Sequence, residues 1–154
     1  EVTFPKARYF VQEASWEEAC KPSERYSNVY RPEDFRPIEE LGLLELLNGD
    51  TELLPGLWAK VADGPARGHQ VVHMSHGGER VAFLGDLVPT PYHLNLGYIS
   101  AFDQFPEDTL QRKRELLEQA EHEGWLLVFY HGAAQKAGYL ERRNGNSYLR
   151  PVEL

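Results

Sequence analysis

The sequence is poor in cysteine, in basic charge and in long apolar runs. Cys20 is its one cysteine, which excludes an intrachain disulfide and suits a reducing compartment. No apolar stretch approaches the ~20 residues that span a membrane, and the first residues lack the pattern of a signal peptide. The formal net charge of -8 opposes binding to nucleic acid. We therefore expect a cytoplasmic protein that binds neither membranes nor nucleic acid.

What the sequence does contain suits one soluble domain, because 42% of its 154 residues are hydrophobic and 26% are charged. Helices are predicted over residues 13–20 and 106–123, the second between Pro106 and the terminator Gly124. Hairpins are predicted around three turns, namely Asn48-Gly49-Asp50, His76-Gly77-Gly78-Glu79 and Asn144-Gly145-Asn146. Residues 125–130 read as a strand covered on both faces. This order predicts an α/β or α+β fold with mixed strand directions.

The longest predicted helix carries an apolar stripe made of Leu110, Leu117 and Ala120, with Leu116 beside them. The same helix contains Arg112-Lys113-Arg114 between acidic residues. We interpret these three basic residues as a solvent-facing surface of the helix.

Two ionisable residues follow apolar strands at the point where each strand ends. Asp86 follows residues 81–85, and His131 follows residues 126–130. Ligands often bind at such a rim in layered α/β folds, and a carboxylate with an imidazole suits a divalent transition metal. The alternative is a capping Asp in a loop and a solvent-facing His.

Three further histidines, His69, His73 and His76, lie close together in the sequence and suggest a metal-binding cluster. In a strand, His69 and His73 would lie about 13 Å apart and His76 would point to the opposite face, so we do not expect them to bind one metal ion together. His69 alone could approach the rim near Asp86, either as a ligand or in a structural hydrogen bond.

An irregular segment from Leu87 to Phe105 is rich in aromatic residues, which is typical of a functional loop. We expect it to form a substrate pocket for a small molecule. The candidate pocket residues are Tyr92, His93, Tyr98, Phe102 and Asp103.

Several segments, in this order, resemble metallo-β-lactamase-fold hydrolases of the lactonase and glyoxalase-like branch. They are Gly68-His69-Gln70, Phe83-Leu84-Gly85-Asp86, Asp103-x-x-Pro106-x-x-Thr109 and Gly124-Trp125 to Phe129-Tyr130-His131. The resemblance covers residues 3–132 and implies the C-terminal half of an αββα sandwich, a mixed sheet with flanking helices. It also implies a two-metal centre that activates water for hydrolysis, in which Asp86 matches the bridging carboxylate and His131 the last histidine ligand.

The chain departs from this family at two places. The H-x-H-x-D-H motif occurs nowhere in it, so we expect residues 1–154 to be one domain that lacks the N-terminal half. Pro65 stands in Gly64-Pro65-Ala66-Arg67-Gly68-His69 where the family has a metal-binding histidine, and His69 matches a histidine that is usually structural.

Two functions remain open from the sequence. The first is metal-dependent hydrolysis of an ester, lactone or thioester, with zinc or another divalent transition metal as cofactor. The second is a degenerate, metal-free relative that has no cofactor and acts as a binding or assembly module. Because a half-domain leaves sheet edges and one core face uncovered, we also expect a homo-oligomer or pairing with the missing half.

Overall fold

The computed structural model describes residues 2–143 and 146–153, and the chain forms two compact units, residues 1–49 and 50–154. In the first unit, strand β1 (Tyr9–Gln12) runs directly into helix α1 (Glu13–Cys20), which has the predicted bounds. A short 3-10 helix (Glu24–Tyr26), helix α2 (Pro32–Glu40) and strand β2 (Leu44–Leu47) follow. β1 and β2 pair in parallel, with Tyr9 opposite Leu44.

The second unit contains a seven-stranded mixed sheet. In spatial order its strands are β3 (Thr51–Leu54), β4 (Leu57–Val61), β5 (Gln70–His76), β6 (Glu79–Phe83), β7 (Leu126–Val128), β8 (Ala137–Arg143) and β9 (Asn146–Val152). β6 and β7 are parallel, and the other neighbours are antiparallel. A parallel pair needs a long crossover, which here contains helix α3 (Pro106–Glu123). The predicted mixture of helices and strand directions is therefore confirmed.

Two of the three predicted hairpins are present as strand pairs. β5 pairs with β6, with His76 opposite Glu79, and β8 pairs with β9. The turn residues Asn144 and Gly145 of the third hairpin lie outside the described residues.

The hairpin predicted around Asn48-Gly49-Asp50 is wrong, because β2 pairs with β1 and β3 pairs with β4. Side-chain hydrogen bonds join each of the two neighbouring residues, Gly49 and Asp50, to a different part of the chain. The amide of Gln12 contacts Gly49 through Oε1 and Nε2 at 2.9 and 3.0 Å. The Asp50 carboxylate accepts hydrogen bonds from the Val61 backbone N–H at 2.8 Å and from Lys60 Nζ at 3.0 Å. These contacts outweigh the local turn preference of the sequence.

The core of the second unit lies between α3 and one face of the sheet. Leu116, Leu117 and Ala120 of α3 share a buried cluster with sheet residues that include Ala82 and Leu127. The alternating residues Val72, Met74, Phe83 and Val128 point to the other face. On that face Met74 is 51% and Phe83 is 38% exposed. β7 is thus fully covered on one face, at Leu127, whereas Leu126 and Val128 are half-buried, so the prediction of cover on both faces is wrong.

Helix α3 has the predicted bounds and ends at Gly124, which adopts the left-handed conformation with φ 68°. Its buried residues are Thr109, Lys113, Leu116, Leu117 and Ala120, whereas Leu110 is only half-buried. The expectation that Lys113 faces solvent is therefore wrong. Among the described residues, no helix combines the length and apolar character needed to cross a membrane.

Candidate functional site

Asp86 and His131 meet at the sheet rim where the parallel strands β6 and β7 end. Val81 lies opposite Leu126 and Phe83 opposite Val128, so the segments that follow β6 and β7 leave the sheet side by side. Asp86 Oδ1 and His131 Nε2 are 3.2 Å apart, and the two side chains are 54% and 55% exposed. The structure therefore brings the two predicted rim residues together on an accessible surface.

The backbone at Asp86 is held by His69. The Asp86 N–H donates to His69 Nε2 at 3.0 Å, and His69 Nδ1 contacts the Ala62 carbonyl at 3.1 Å. These partners assign the ring proton to Nδ1. Burial lowers the pKa of His69, although the nearby Asp86 carboxylate opposes the shift. With both ring nitrogens in hydrogen bonds, His69 would have to break one contact before it could bind a metal ion.

Gly85 allows this arrangement. It adopts φ 53°, a left-handed conformation, and a Cβ at this position would lie 2.7 Å from His69 Nε2. A side chain would therefore collide with the ring that holds Asp86.

The donors in the described part of the chain do not fit a metal centre by themselves. A stable zinc site needs three or four protein ligands, and no group of three His, Cys, Asp or Glu residues that could hold a metal ion is found among the residues described. Pro65 has no donor side chain. Its carbonyl and that of Gly64 accept hydrogen bonds from Gln104 N at 3.2 Å and Phe105 N at 2.9 Å, so this segment anchors the loop that precedes α3.

The other two histidines of the apparent cluster have separate surroundings. The ring of His73 packs edge-on against Trp125, with centroids 4.4 Å apart. Burial, with a smaller effect of Lys60, lowers the pKa of His73 to about 4. Its Nε2 is buried without a hydrogen-bond partner among the described residues. His76 is exposed at the end of β5.

The predicted pocket residues divide into exposed aromatic residues and anchored polar residues. Tyr92, Tyr98 and Phe102 are exposed, at 82%, 59% and 87%. His93 Nδ1 lies 2.8 Å from Thr90 Oγ1, and burial, together with the Lys113 charge, lowers its pKa. Asp103 is buried. Its Oδ2 accepts a hydrogen bond of 2.6 Å from Thr109 Oγ1.

A groove of about 950 Å³ opens beside His131. One wall is the segment Thr90–Leu96, which includes Tyr92. The other wall comes from residues 133–135 and from β8 and β9, and it includes Arg142 and Tyr148. Of the five predicted pocket residues, Tyr92 lines this groove, whereas the described lining does not include His93, Tyr98, Phe102 or Asp103. The second wall was not predicted, because the sequence pattern of β8 and β9 indicates only a hairpin.

Lys113 is a second feature of the site that the sequence interpretation missed. It is fully buried on α3, and its Nζ donates to the carbonyls of Asn95 at 3.0 Å and Tyr98 at 2.7 Å. Its spacing from Leu117 and Ala120, four and seven residues along the helix, places it on the apolar stripe. That spacing was the available signal, and it was masked by the basic neighbours on either side.

The family described as Metallo-beta-lactamase superfamily matches residues 2–131. No curated protein sequence shows a significant match. A probable metal-dependent hydrolase from Staphylococcus aureus superposes with a TM-score of 0.84 and 22% identity, over 98% of this chain and 55% of that one. AidC, a dizinc quorum-quenching lactonase, gives 0.81 and 16%, over 100% and 57%. The hydrolase AbOPH gives 0.80 and 17%, over 98% and 57%.

These likenesses confirm the fold predicted from the sequence. The chain spans a little over half the length of the three solved structures, since it covers 55%, 57% and 57% of them.

Proposed function

Because the chain belongs to the metallo-β-lactamase superfamily, we propose that it provides one half of a metal-dependent hydrolase site. The proposed reaction is hydrolysis of an ester, a lactone or a thioester of a small molecule. Asp86 and His131 are the residues that we assign to the metal, and carboxylate with imidazole suits zinc or another divalent transition metal. The net charge of -8 and the single cysteine agree with a cytoplasmic enzyme that does not act on nucleic acid.

The observation that carries this proposal is the contact between Asp86 Oδ1 and His131 Nε2 at 3.2 Å. Two ligands that each lie about 2.1 Å from one tetrahedral metal ion stand about 3.4 Å apart. The two side chains therefore already have the spacing of neighbouring ligands. The groove beside His131 gives a substrate access to this rim.

The solved structures of similar fold support the same reaction class. One is titled a probable metal-dependent hydrolase and another a dizinc quorum-quenching lactonase. Because two donors do not complete a site, the remaining ligands would come from residues other than those described. The proposal is therefore that catalysis needs a further segment or a second polypeptide.

A metal-free binding or assembly module is the second candidate. Pro65 offers no donor where the family has a ligand, and its carbonyl is used to anchor Gln104. His69 has both nitrogens engaged. These contacts stabilise the rim without a metal ion, so the scaffold could persist after hydrolytic activity is lost.

A partner surface agrees with either candidate. The sheet face opposite α3 exposes Met74, Phe83 and Tyr130, at 51%, 38% and 62%, and the rings of Phe83 and Tyr130 contact each other with centroids 5.9 Å apart. Exposed apolar surface of this kind is typical of an interaction site. We propose that it is covered by a second copy of the chain or by the other half of the fold.

Metal content and ester hydrolysis test the proposed function. The longest polypeptide encoded by the gene would be purified, analysed for zinc and assayed with 4-nitrophenyl acetate. Asp86→Asn and His131→Asn should each reduce zinc affinity and turnover by at least about 10–100-fold, the loss that even an outer-shell partner causes, whereas His76→Asn, at an exposed histidine away from the rim, should leave both unchanged.

The two candidates give opposite results. No bound metal and no metal-dependent turnover would eliminate the hydrolase and leave the metal-free module. Tightly bound, stoichiometric zinc that is lost in both rim variants would eliminate the metal-free module.

A further inference from the structure

Lys113 lies in the middle of α3 and has no solvent exposure. A buried ammonium group is costly unless hydrogen bonds replace its water. Here Nζ donates to the backbone carbonyls of Asn95 at 3.0 Å and Tyr98 at 2.7 Å. The helix therefore uses a buried side chain to hold the backbone of the preceding loop.

The backbone that Lys113 holds is a small, preformed turn. Tyr98 N–H donates to the Asn95 carbonyl at 3.0 Å, and Gly97 N–H donates to Asn95 Oδ1 at 3.0 Å. The Asn95 carbonyl thus accepts from Tyr98 and from Lys113 at once. Without the ammonium group, the Tyr98 carbonyl would lose its hydrogen-bond donor, and the Asn95 carbonyl would keep only the hydrogen bond from Tyr98 N–H.

A second anchor lies four residues earlier on the same side of α3. Thr109 Oγ1 donates to Asp103 Oδ2 at 2.6 Å. Thr109 and Lys113 therefore bracket the segment 95–103 from two points one helical turn apart. Thr109 holds the end of this segment next to α3, and Lys113 holds the end next to the groove.

The end held by Lys113 is part of the groove wall. Asn95 lines the groove together with Tyr92 and Leu96, opposite Tyr148 and beside His131. We propose that Lys113 is a positioning residue that fixes the wall formed by Thr90–Leu96 and so sets the width of the groove at His131. The use of the groove by a substrate rests on the proposed function, whereas the anchoring rests on the contacts alone.

The charges around Lys113 agree with this role. Burial lowers the pKa of Lys113 to about 8, and the Asp103 carboxylate opposes the shift. The Lys113 charge in turn contributes to the lowered pKa of His93, which lies within the segment Thr90–Leu96. The ammonium form thus still predominates at pH 7, where it offers three donors.

Hydrogen exchange tests the anchoring without any need for activity. In Lys113→Met, backbone amides of residues 94–99 should exchange at least about tenfold faster than in the unchanged chain, while the amides of β5 keep their protection. Arg112→Met is the matched control, because Arg112 is exposed and pairs with Glu115 on the outside of the same helix. Unchanged exchange over residues 94–99 in a folded Lys113→Met would overturn the proposal.

If Lys113→Met does not fold, the anchoring can be tested in the unchanged chain by NMR spectra of nitrogen-15-labelled lysine side chains. The Nζ protons of Lys113 should exchange with water more slowly than those of surface lysines, and equally fast exchange would overturn the anchoring.

Ester kinetics on the longest polypeptide encoded by the gene, as in the test of the proposed function, measure the effect on the groove. Lys113→Met should raise KM for 4-nitrophenyl benzoate by about tenfold with kcat within about twofold, and a loss confined to kcat would overturn the effect on groove width. A complete lack of hydrolysis by the same polypeptide without the substitution would count against the proposed function and leave the exchange result to decide this proposal.

Discussion

At the scale of single residues, Gly85 controls how Asp86 is presented. We expect Gly85→Ala to reduce the free energy of unfolding by about 3 kcal/mol, because it combines an unfavourable backbone conformation with a steric collision. The new Cβ would lie 2.7 Å from His69 Nε2, so the hydrogen bond to Asp86 N–H should also be lost. Urea unfolding measures the first effect, and the NMR signal of the Asp86 amide reports the second.

Gly77→Ala is the matched control for this prediction. Gly77 has φ 58°, close to the φ 53° of Gly85, but its Cβ would meet no atom within 4 Å. Gly77→Ala should therefore reduce the free energy of unfolding only by the cost of the left-handed backbone conformation, about 1 kcal/mol. Equal losses in the two variants would show that the contact with His69 has no energetic role.

At the scale of secondary structure elements, the hydrogen bond between Thr109 and Asp103 joins the start of α3 to the loop before it. Burial raises the pKa of Asp103, and the hydrogen bond from Thr109 opposes this shift. Thr109→Val keeps the shape of the side chain but removes the donor, so the pKa of Asp103 should rise further. At pH 7 the variant should lose about 1–3 kcal/mol of stability.

The pH dependence of this loss checks its origin. The carboxylate needs the Thr109 donor only while it is ionised, so the difference in stability between the two chains should shrink as the pH falls and Asp103 takes up a proton in both. Urea unfolding at several pH values measures the difference. A loss that is the same at every pH would assign it to packing at Thr109 and not to the charge of Asp103.

Local signals predicted most of the elements, and long-range contacts explain the exceptions. Proline at the first position and glycine after the last gave the bounds of α3. The prediction of a hairpin at Asn48-Gly49-Asp50 was wrong because strand pairing depends on partners distant in sequence, here Gln12 and Val61. The position of Asp86 and His131 at the sheet rim was predicted from strand ends, whereas the burial of Lys113 was missed because a lysine is rarely buried.

At the scale of the whole molecule, the exposed sheet face should govern association. If this face binds a second copy, Met74→Lys should weaken self-association by at least about tenfold, since a charge would be buried among apolar side chains. Sedimentation velocity over a range of concentrations measures this. Gln111→Lys adds the same charge on the exposed side of α3 and should leave association unchanged.

A monomer at all concentrations for the unchanged chain would exclude the second copy as the partner. The other half of the fold would then remain as the proposed occupant of the face.

The anchoring contacts at Pro65 bear on the evolutionary history of this chain. Gln104 N–H bonds to the Pro65 carbonyl and Phe105 N–H to the Gly64 carbonyl, so the local backbone uses atoms that every amino acid possesses. A histidine at position 65 could keep both bonds. Two of the four proline codons differ from a histidine codon by one base, so with either of them a single point mutation would place an imidazole at position 65 without rebuilding the loop.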